Sequence, residues 1–203
     1  MISSENKNYV CSFVACLCAV IEEGLNTSVI CGIETDTLFE RINGKPISNH
    51  STPKQHAFSL KYLPVAIKNG KLGSPVTTSL LDSFENILGS LQWYRRDEPQ
   101  KPKFMRGHAN AQIIGPGGIE KRSEIVVGVT LMSPWTQYPY HHHPPEELYV
   151  VLCDGDWIQE ATNWFTPGIG GIVGNPSNMG NSMRSKSAPS LQSGVSGSEP
   201  VGF

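Results

Sequence analysis

The chain has 203 residues, of which 38% are hydrophobic, and its formal net charge is −2 at pH 7. This length suits one globular domain with an appendage and is small for two domains. Because the chain lacks the basic excess that nucleic acids and anionic membranes attract, we expect a small-molecule substrate and neither of those partners. The 5 cysteines are odd in number and lack paired zinc-knuckle spacing, which indicates reduced thiols.

The first clear element is an apolar stretch at residues 9–21, which follows Lys7 and resembles the core of a signal peptide. It is too short to span a bilayer, and the polar run 22–24 follows it in place of a cleavage site. Its apolar residues recur every three or four positions, as in an amphipathic helix packed on a core. They are Val10, Phe13, Val14, Leu17, Val20 and Ile21. We therefore predict a core helix and a cytoplasmic protein.

The next region is predicted to be mixed, with a short helix at residues 36–42 and a turn-rich link at residues 66–73. His50 and His56 lie among polar residues and are expected in solvated loops. A second amphipathic helix is predicted at residues 79–93, capped by Thr77, Thr78 or Ser79. Two prolines and several charges after it mark the end of an N-terminal helical portion at residues 1–100.

From about residue 103 the apolar pattern becomes that of short β-strands separated by Gly, Pro and Asp turns. The predicted strands lie at residues 111–114, 124–131, 147–152 and 157–158. Many short strands at close intervals favour an antiparallel barrel or jelly roll, which we place at residues 101–184. Residues 185–203 are rich in Ser, Gly and Pro and are predicted to form a flexible tail. Because a barrel needs a partner for its last edge, strand exchange in a homodimer stays open.

The run at residues 138–149 holds potential metal ligands at positions of one parity, namely His141, His143, Glu147 and Tyr149. In an extended chain, every second side chain points to the same face. His141 and His143 therefore share one face of a strand, and Glu147 and Tyr149 share a face in the same way. Pro144-Pro145 between the pairs predicts a bend. Imidazole and carboxylate together suit Zn, Fe, Mn or Ni. The alternative interpretation is an exposed histidine run without a metal.

The same residues carry a family resemblance. The pattern His141-x-His143-x3-Glu147 resembles the first motif of the cupin superfamily. Residues 170–181 match the spacing of the second cupin motif, with Asn178 in place of its glycine and Asn181 in place of its histidine. The runs 106–118 and 138–149, together with residues 183–184, resemble the cupin dimethylsulfoniopropionate lyases of marine bacteria. This similarity covers about residues 80–190.

The resemblance implies a fold and a reaction: a cupin double-stranded β-helix with N-terminal helices that splits dimethylsulfoniopropionate into dimethyl sulfide and acrylate. It implies that His143 and Glu147 bind a divalent transition metal, with His141 as a further ligand or a pocket residue. The metal would bind the substrate carboxylate and, as a Lewis acid, acidify the proton on the adjacent carbon. Asn181 would occupy the remaining ligand position. Tyr149 would be the base, because a nearby cation favours tyrosinate over the neutral phenol.

The resemblance also implies an aromatic lining for the positive sulfonium group. The candidates are Tyr138, Tyr140, Trp135, Trp157 and Trp164. His108 is expected either beside this pocket or as a hydrogen-bonded histidine within a strand.

Two other functions remain open at the level of sequence. No histidine follows His143, so Asn181 must serve as the last ligand, and a neutral amide is a weak donor beside imidazole. A different metal-dependent cupin, such as a dioxygenase or isomerase, needs the same His-His-Glu set. A cupin that only binds a small carboxylate would tolerate the asparagine.

Overall fold

The computed structural model describes residues 4–27, 40–42, 60–160 and 162–197. Within the predicted helix at residues 36–42, only residues 40–42 are described, and they are helical. His50, His56 and Cys31 lie outside the described residues.

The described helices are α1 (Ser4–Thr27), α2 (Leu63–Gly70), α3 (Pro75–Ile87) and α4 (Pro102–Gly107), with a 3₁₀ turn at Leu88–Ser90. The predicted N-terminal helix is confirmed by α1. The predicted turn-rich link is wrong for residues 66–70, because α2 buries a short apolar face there. The second helix begins and ends earlier than predicted, because α3 stops at Ile87 and Trp93 lies in a strand. Its cap is Ser74, whose hydroxyl accepts a hydrogen bond from the Thr77 amide at 3.2 Å.

The strands form two antiparallel sheets. They are β1 (Trp93–Tyr94), β2 (His108–Ile114), β3 (Ile125–Met132), β4 (Glu147–Cys153), β5 (Asp156–Gln159), β6 (Ile172–Asn175), β7 (Asn181–Arg184) and β8 (Ser190–Gly197). A 6-stranded sheet has the order β1-β2-β3-β8-β4-β6, and β5 pairs with β7 in a 2-stranded sheet. This architecture, with helices at the N-terminus, confirms the predicted cupin β-barrel class.

The prediction of a flexible tail is wrong for residues 190–197. They form β8, which pairs with β3 on one side and with β4 on the other, in the middle of the large sheet. Leu191 and Val195 of β8 are buried in the core under the helices. The strand escapes sequence analysis because its other side chains are small or polar.

One hydrophobic core joins the helices to the outer face of the large sheet. Residues Lys7–Leu25 of α1 are long and apolar enough to cross a membrane by length and composition. In the structure, however, Phe13, Leu17 and Ile21 are buried in the core that α1 shares with α3 and the sheet. A second, smaller cluster fills the space between the two sheets and includes Trp157, Val173 and Met183. The predicted site lies beside this second cluster.

Candidate active site

A cavity of about 160 Å³ opens on the inner face of the large sheet. Its polar and aromatic lining comes from β1, β2, β3, β4 and β8 and from the segment before β4: Tyr94, Asn110, Gln112, Thr130, Tyr138, Glu147, Tyr149 and Ser196. Glu147 lies between Ser196 and Asn175 across the sheet, and Tyr149 lies between Gly194 and Val173. The inward parity of Glu147 and Tyr149 in β4 therefore places both groups in one cavity.

Two glycines make room for this cavity. Gly128 of β3 and Gly194 of β8 are directly opposed in the ladder. A Cβ atom on Gly194 would lie 2.8 Å from Cε1 of Tyr149, and one on Gly128 would lie 2.8 Å from the Ala111 carbonyl oxygen. Both positions exclude a side chain, so the Tyr149 ring lies directly over bare backbone.

Glu147 is a buried carboxylate held by a chain of amides. The Asn175 side-chain nitrogen donates to Oε2 of Glu147 at 3.3 Å. Gln159 in turn donates from Nε2 to Oδ1 of Asn175 at 2.7 Å and to the Gly174 carbonyl at 2.6 Å. Because Oδ1 of Asn175 is occupied as an acceptor, its amide nitrogen is directed toward Glu147. Burial raises the pKa of Glu147, and the nearby His143 and the Asn175 bond oppose that rise.

Tyr149 is held in its neutral form by its surroundings. Removal from water raises the pKa of Tyr149 well above its ordinary value, and the neighbouring Glu147 charge raises it further. The ring packs against Trp157, with 4.9 Å between ring centroids. The phenol therefore needs a positive charge beside it before it can act as a base.

His141 and His143 lie side by side, with ring centroids 5.0 Å apart. Nδ1 of His141 is 2.7 Å from the Pro139 carbonyl oxygen, which can only accept a hydrogen bond, so the proton is on Nδ1 and the lone pair is on Nε2. Burial lowers the pKa of His141 to about 4, so its imidazole is neutral at physiological pH. A neutral imidazole with its lone pair on Nε2 is the form that binds a metal.

Asn181 faces His141. The two residues exchange backbone hydrogen bonds of 3.0 and 2.8 Å, so their side chains project from the same side of the ladder. Within the described part of the chain, Oδ1 of Asn181 is buried and has no hydrogen-bond partner. A buried acceptor without a donor is costly unless something binds it. This oxygen therefore fits the ligand position that the sequence assigned to it.

The donor set is open and does not form a closed metal cage. Among the described residues, no group of three or more His, Cys, Asp or Glu side chains converges to hold a metal. The candidate donors are the imidazoles of His141 and His143, the Glu147 carboxylate and the amide oxygen of Asn181, which is unpaired in the described part of the chain. Their chemistry suits a divalent transition metal.

The other predicted site residues are divided between the cavity and its surroundings. Tyr138 lines the cavity, whereas Trp157 is fully buried behind Tyr149. Tyr140 and Trp135 are exposed and line a separate outer groove. Trp164 packs against Arg184, whose guanidinium carbon is 4.1 Å from its ring centroid.

His108 has a structural environment. Nδ1 lies 2.6 Å from the Phe104 carbonyl oxygen, and Nε2 accepts from the Arg96 amide at 2.9 Å. Its ring is fully buried and stacks on Phe104 with 3.6 Å between centroids. Both ring nitrogens are thus hydrogen-bonded within the protein, as predicted for a hydrogen-bonded histidine within a strand and not for a pocket residue.

Sequence analysis missed the wall that faces Tyr149. Tyr94 of β1 lies opposite Asn110 of β2, and Asn110 lies opposite Thr130 of β3, where the Thr130 hydroxyl donates to Oδ1 of Asn110 at 2.8 Å. The signal was the polar pair Asn110 and Gln112, spaced two residues apart inside an otherwise apolar strand.

Three comparisons relate this chain to known proteins. The family model described as dimethylsulfoniopropionate lyase matches residues 34–192. The protein of Cereibacter sphaeroides named dimethylsulfoniopropionate lyase DddL is 24% identical over 133 residues, which cover 66% of this chain and 56% of that protein. The chain thus spans little more than half the length of this curated relative.

Two solved structures resemble the whole chain. One, described as crystal structures of DMSP lyases RdDddP and RnDddQII, gives a TM-score of 0.69 at 16% identity. The match covers 98% of this chain and 96% of that chain. The other, DMSP lyase DddQ from Ruegeria pomeroyi DSS-3, gives a TM-score of 0.62 at 18% identity. The match covers 95% of this chain and 93% of that chain. At such low sequence identities, this structural similarity shows a common fold. Because the family model covers most of its length, the chain belongs to the dimethylsulfoniopropionate lyase family.

Proposed function

We propose that the protein cleaves dimethylsulfoniopropionate to dimethyl sulfide and acrylate by a metal-dependent β-elimination. The observation that carries this proposal is the Tyr149 phenol, hydrogen-bonded to buried Glu147 at the wall of a cavity, in a member of this family. A carbohydrate- or nucleotide-sized ligand is too large for a cavity of about 160 Å³. A small acid is the better match.

The reaction needs one proton transfer and one bond cleavage. The Tyr149 oxygen removes a proton from the carbon next to the substrate carboxylate. The electrons of that C–H bond form the double bond of acrylate, and the C–S electron pair leaves with dimethyl sulfide. The sulfonium charge is neutralised in this step, so no further acid is required for the leaving group.

The Tyr149 phenol must first be ionised, and its own surroundings oppose this. A divalent metal such as Zn, Fe, Mn or Ni, held by His143, Glu147, His141 and Asn181, would act as a Lewis acid on the substrate and favour tyrosinate by its charge. The protein's contribution is to keep these donors ready. His141 is neutral, Glu147 is oriented by Asn175, and the Asn181 oxygen is unpaired within the described residues.

The sulfonium end needs an electron-rich and apolar lining. Tyr138, Tyr94 and Tyr149 present their rings to the cavity. A cation near an aromatic face gains about 0.5–2 kcal/mol, according to how far it is desolvated. Tyr138 is fixed for this role, because its ring contacts Phe104 edge-on at 4.6 Å between centroids and lies 5.0 Å from the ring of His141.

The experiment is headspace gas chromatography of dimethyl sulfide. The purified full chain is stripped of metal, reloaded with Zn, Mn, Fe or Ni in turn, and incubated with dimethylsulfoniopropionate. We expect release with at least one metal and its loss on chelation. No release with any metal from a folded protein would contradict the proposal, and acrylate binding without turnover would then identify a carboxylate-binding cupin.

A further inference from the structure

The outer groove is a second recess, apart from the cavity of the candidate active site. It has a volume of about 690 Å³ and lies between α4, residues 135–140 and the end of β7. The buried ring of Phe104 borders the groove and packs edge-on against Tyr138, which lines the cavity. Small-molecule sites occupy about 300–1,000 Å³, so this recess is large enough for a ligand the size of a nucleotide.

Trp135 presents an exposed indole to the groove from a strained backbone. It is 64% exposed, and its φ of 59° is a left-handed conformation that bulky residues rarely adopt. The fold holds it there, because its amide donates to the Lys186 carbonyl at 2.8 Å, and the Thr136 amide donates to the Ser185 hydroxyl at 2.9 Å. Strained residues that surrounding contacts hold in place cluster at ligand-binding sites.

Tyr140 forms a second aromatic face of the groove. It is 55% exposed, and a Cβ atom on Gly180 would overlap its hydroxyl oxygen, so the ring lies against bare backbone. The next residue, His141, exchanges two backbone hydrogen bonds with Asn181, which fixes the chain on that side. Large exposed rings gathered at one recess, with charged residues beside them, mark a binding site.

The charges of the groove favour an anion. Of the described residues that line it, three are basic and none is acidic. Arg184 is offset by Asp156, whose Oδ2 accepts from Nε at 3.1 Å and from Nη2 at 3.0 Å. Lys101 and Lys103 are exposed, and neither has an ion-pair partner among the described residues. Two uncompensated cations attract phosphate groups and repel a sulfonium cation.

These features together favour a nucleotide over a protein partner. A flat base stacks on an exposed aromatic ring whatever its sequence identity, and lysine ammonium groups bind phosphates as point charges. A standard protein interface takes about 20–30 residues on each side. Only 11 of the described residues line this groove, which suits a small molecule.

We infer that the outer groove binds a nucleotide, with its base against Trp135 and Tyr140 and its phosphates on Lys101 and Lys103. The groove is separate from the cavity of the proposed lyase, so this inference does not depend on the reaction proposed above. Nucleotide binding and dimethyl sulfide release are measured separately, and either can fail without the other.

The test is isothermal titration of the full chain, as purified, with ADP, adenosine and pyrophosphate. Adenosine lacks the phosphates, and pyrophosphate lacks the base. We expect ADP to bind at least about tenfold more tightly than either fragment, because each fragment loses one of the two contacts. Pyrophosphate binding as tight as that of ADP would show an anion site only and would overturn the inference, as would an absence of ADP binding.

Substitutions test whether ADP binds in the groove. Trp135→Gly removes the indole, and glycine adopts the φ of 59° without strain, so the fold is kept. Lys101→Gln combined with Lys103→Gln removes both charges. We expect the Trp135 variant and the double lysine variant each to bind ADP at least about tenfold more weakly than the parent chain. Lys68→Gln is the matched control, because this exposed lysine of α2 does not line the groove, and we expect its affinity within about twofold of the parent.

Three further results would overturn the inference. Parent-like ADP binding by both groove variants would place the nucleotide elsewhere on the protein. An equal loss in Lys68→Gln would show a general effect of charge. Binding of tetramethylammonium in place of ADP would make the two aromatic rings a cage for cations, as the family resemblance implies for the sulfonium group.

Discussion

The two faces of the six-stranded sheet are built from alternate residues of the same strands, and they are opposite in character. On the helix face, Leu148, Val150 and Leu152 of β4 are almost fully buried under the helices. On the cavity face, Glu147 and Tyr149 of the same strand carry polar groups with specific partners. Alternate residues of one strand therefore form the packed core on one face and, under the proposed function, the catalytic site on the other.

This difference shows where substitution is tolerated. The helix face needs apolar volume, which several residue types supply. The cavity face needs particular atoms: an amide on Asn175, bare backbone at Gly194 and a hydroxyl on Tyr149. A change on the first face should alter the free energy of unfolding, and one on the second should alter turnover.

The largest effect on stability is expected at Leu148. Leu148→Ala leaves a cavity in the core under the helices and should lower the free energy of unfolding by about 2–5 kcal/mol. Turnover per folded molecule should change little. Urea unfolding measures this, with Leu72→Ala as control because Leu72 is 80% exposed. Equal unfolding midpoints for the two variants would refute the contrast.

Gly194→Ala tests the cavity face. The new Cβ would lie 2.8 Å from Cε1 of Tyr149, so the ring must shift. We expect turnover to fall by about 10- to 100-fold, since small displacements of a reacting group are costly. Gly197→Ala in the same strand is the control, because its Cβ meets only ordinary contacts at 3.4 Å. Similar kinetics in both variants would show that Tyr149 tolerates displacement.

Asn175→Ala removes the donor that orients Glu147. One hydrogen bond to a buried carboxylate is lost, so we expect turnover to fall by about tenfold. Steady-state kinetics of dimethyl sulfide release measures it, against Asn86→Ala on the exposed side of α3. An unchanged kcat would mean that Glu147 is oriented by other contacts.

The smallest effect is expected at Asp156, which lies away from both faces. Burial tends to raise the pKa of Asp156, but bonds from Lys186, Thr166 and Arg184 outweigh it and leave the pKa below its usual range. A depressed carboxylate pKa stabilises the fold above about pH 4, and this contribution is lost as pH falls through the folded-state value. Asp156→Asn should cost about 1 kcal/mol at pH 7.

Thermal unfolding across pH checks this prediction. The difference between Asp156→Asn and the parent chain should shrink below about pH 4, where the carboxylate of the parent becomes protonated. A difference that stays constant from pH 7 to pH 3 would contradict the assigned charge contacts.

Much of the fold was predictable because the pattern of the chain is local. The helical spacing of α1 and the β-branched run of β3 identify these elements directly. β8 was missed because Gly194 and Ser196 line the cavity, where small and polar residues replace apolar ones, and Gln192 bonds to the sulfur of Met183 between the sheets. α2 was missed because eight residues give too short a pattern.

The site residues that are close together in the sequence could be predicted. Those that strand pairing brings to the site from distant positions could not. His141, His143, Glu147 and Tyr149 lie within one run of the sequence. Tyr94 reaches the same cavity only because β1 pairs with β2, and Asn175 reaches Glu147 only because β6 pairs with β4. Such neighbours carry no local signal, and residue type alone does not identify them.

The central claim is that the hydroxyl of Tyr149 performs the proton transfer. The most direct measurement compares dimethyl sulfide release by the metal-loaded parent chain, Tyr149→Phe, and Tyr140→Phe, an exposed tyrosine outside the cavity. The metal content of each preparation is measured alongside. We predict a fall of about 10²–10⁴-fold in Tyr149→Phe at equal metal content, with Tyr140→Phe near the parent. Parent-like release from Tyr149→Phe would contradict the account.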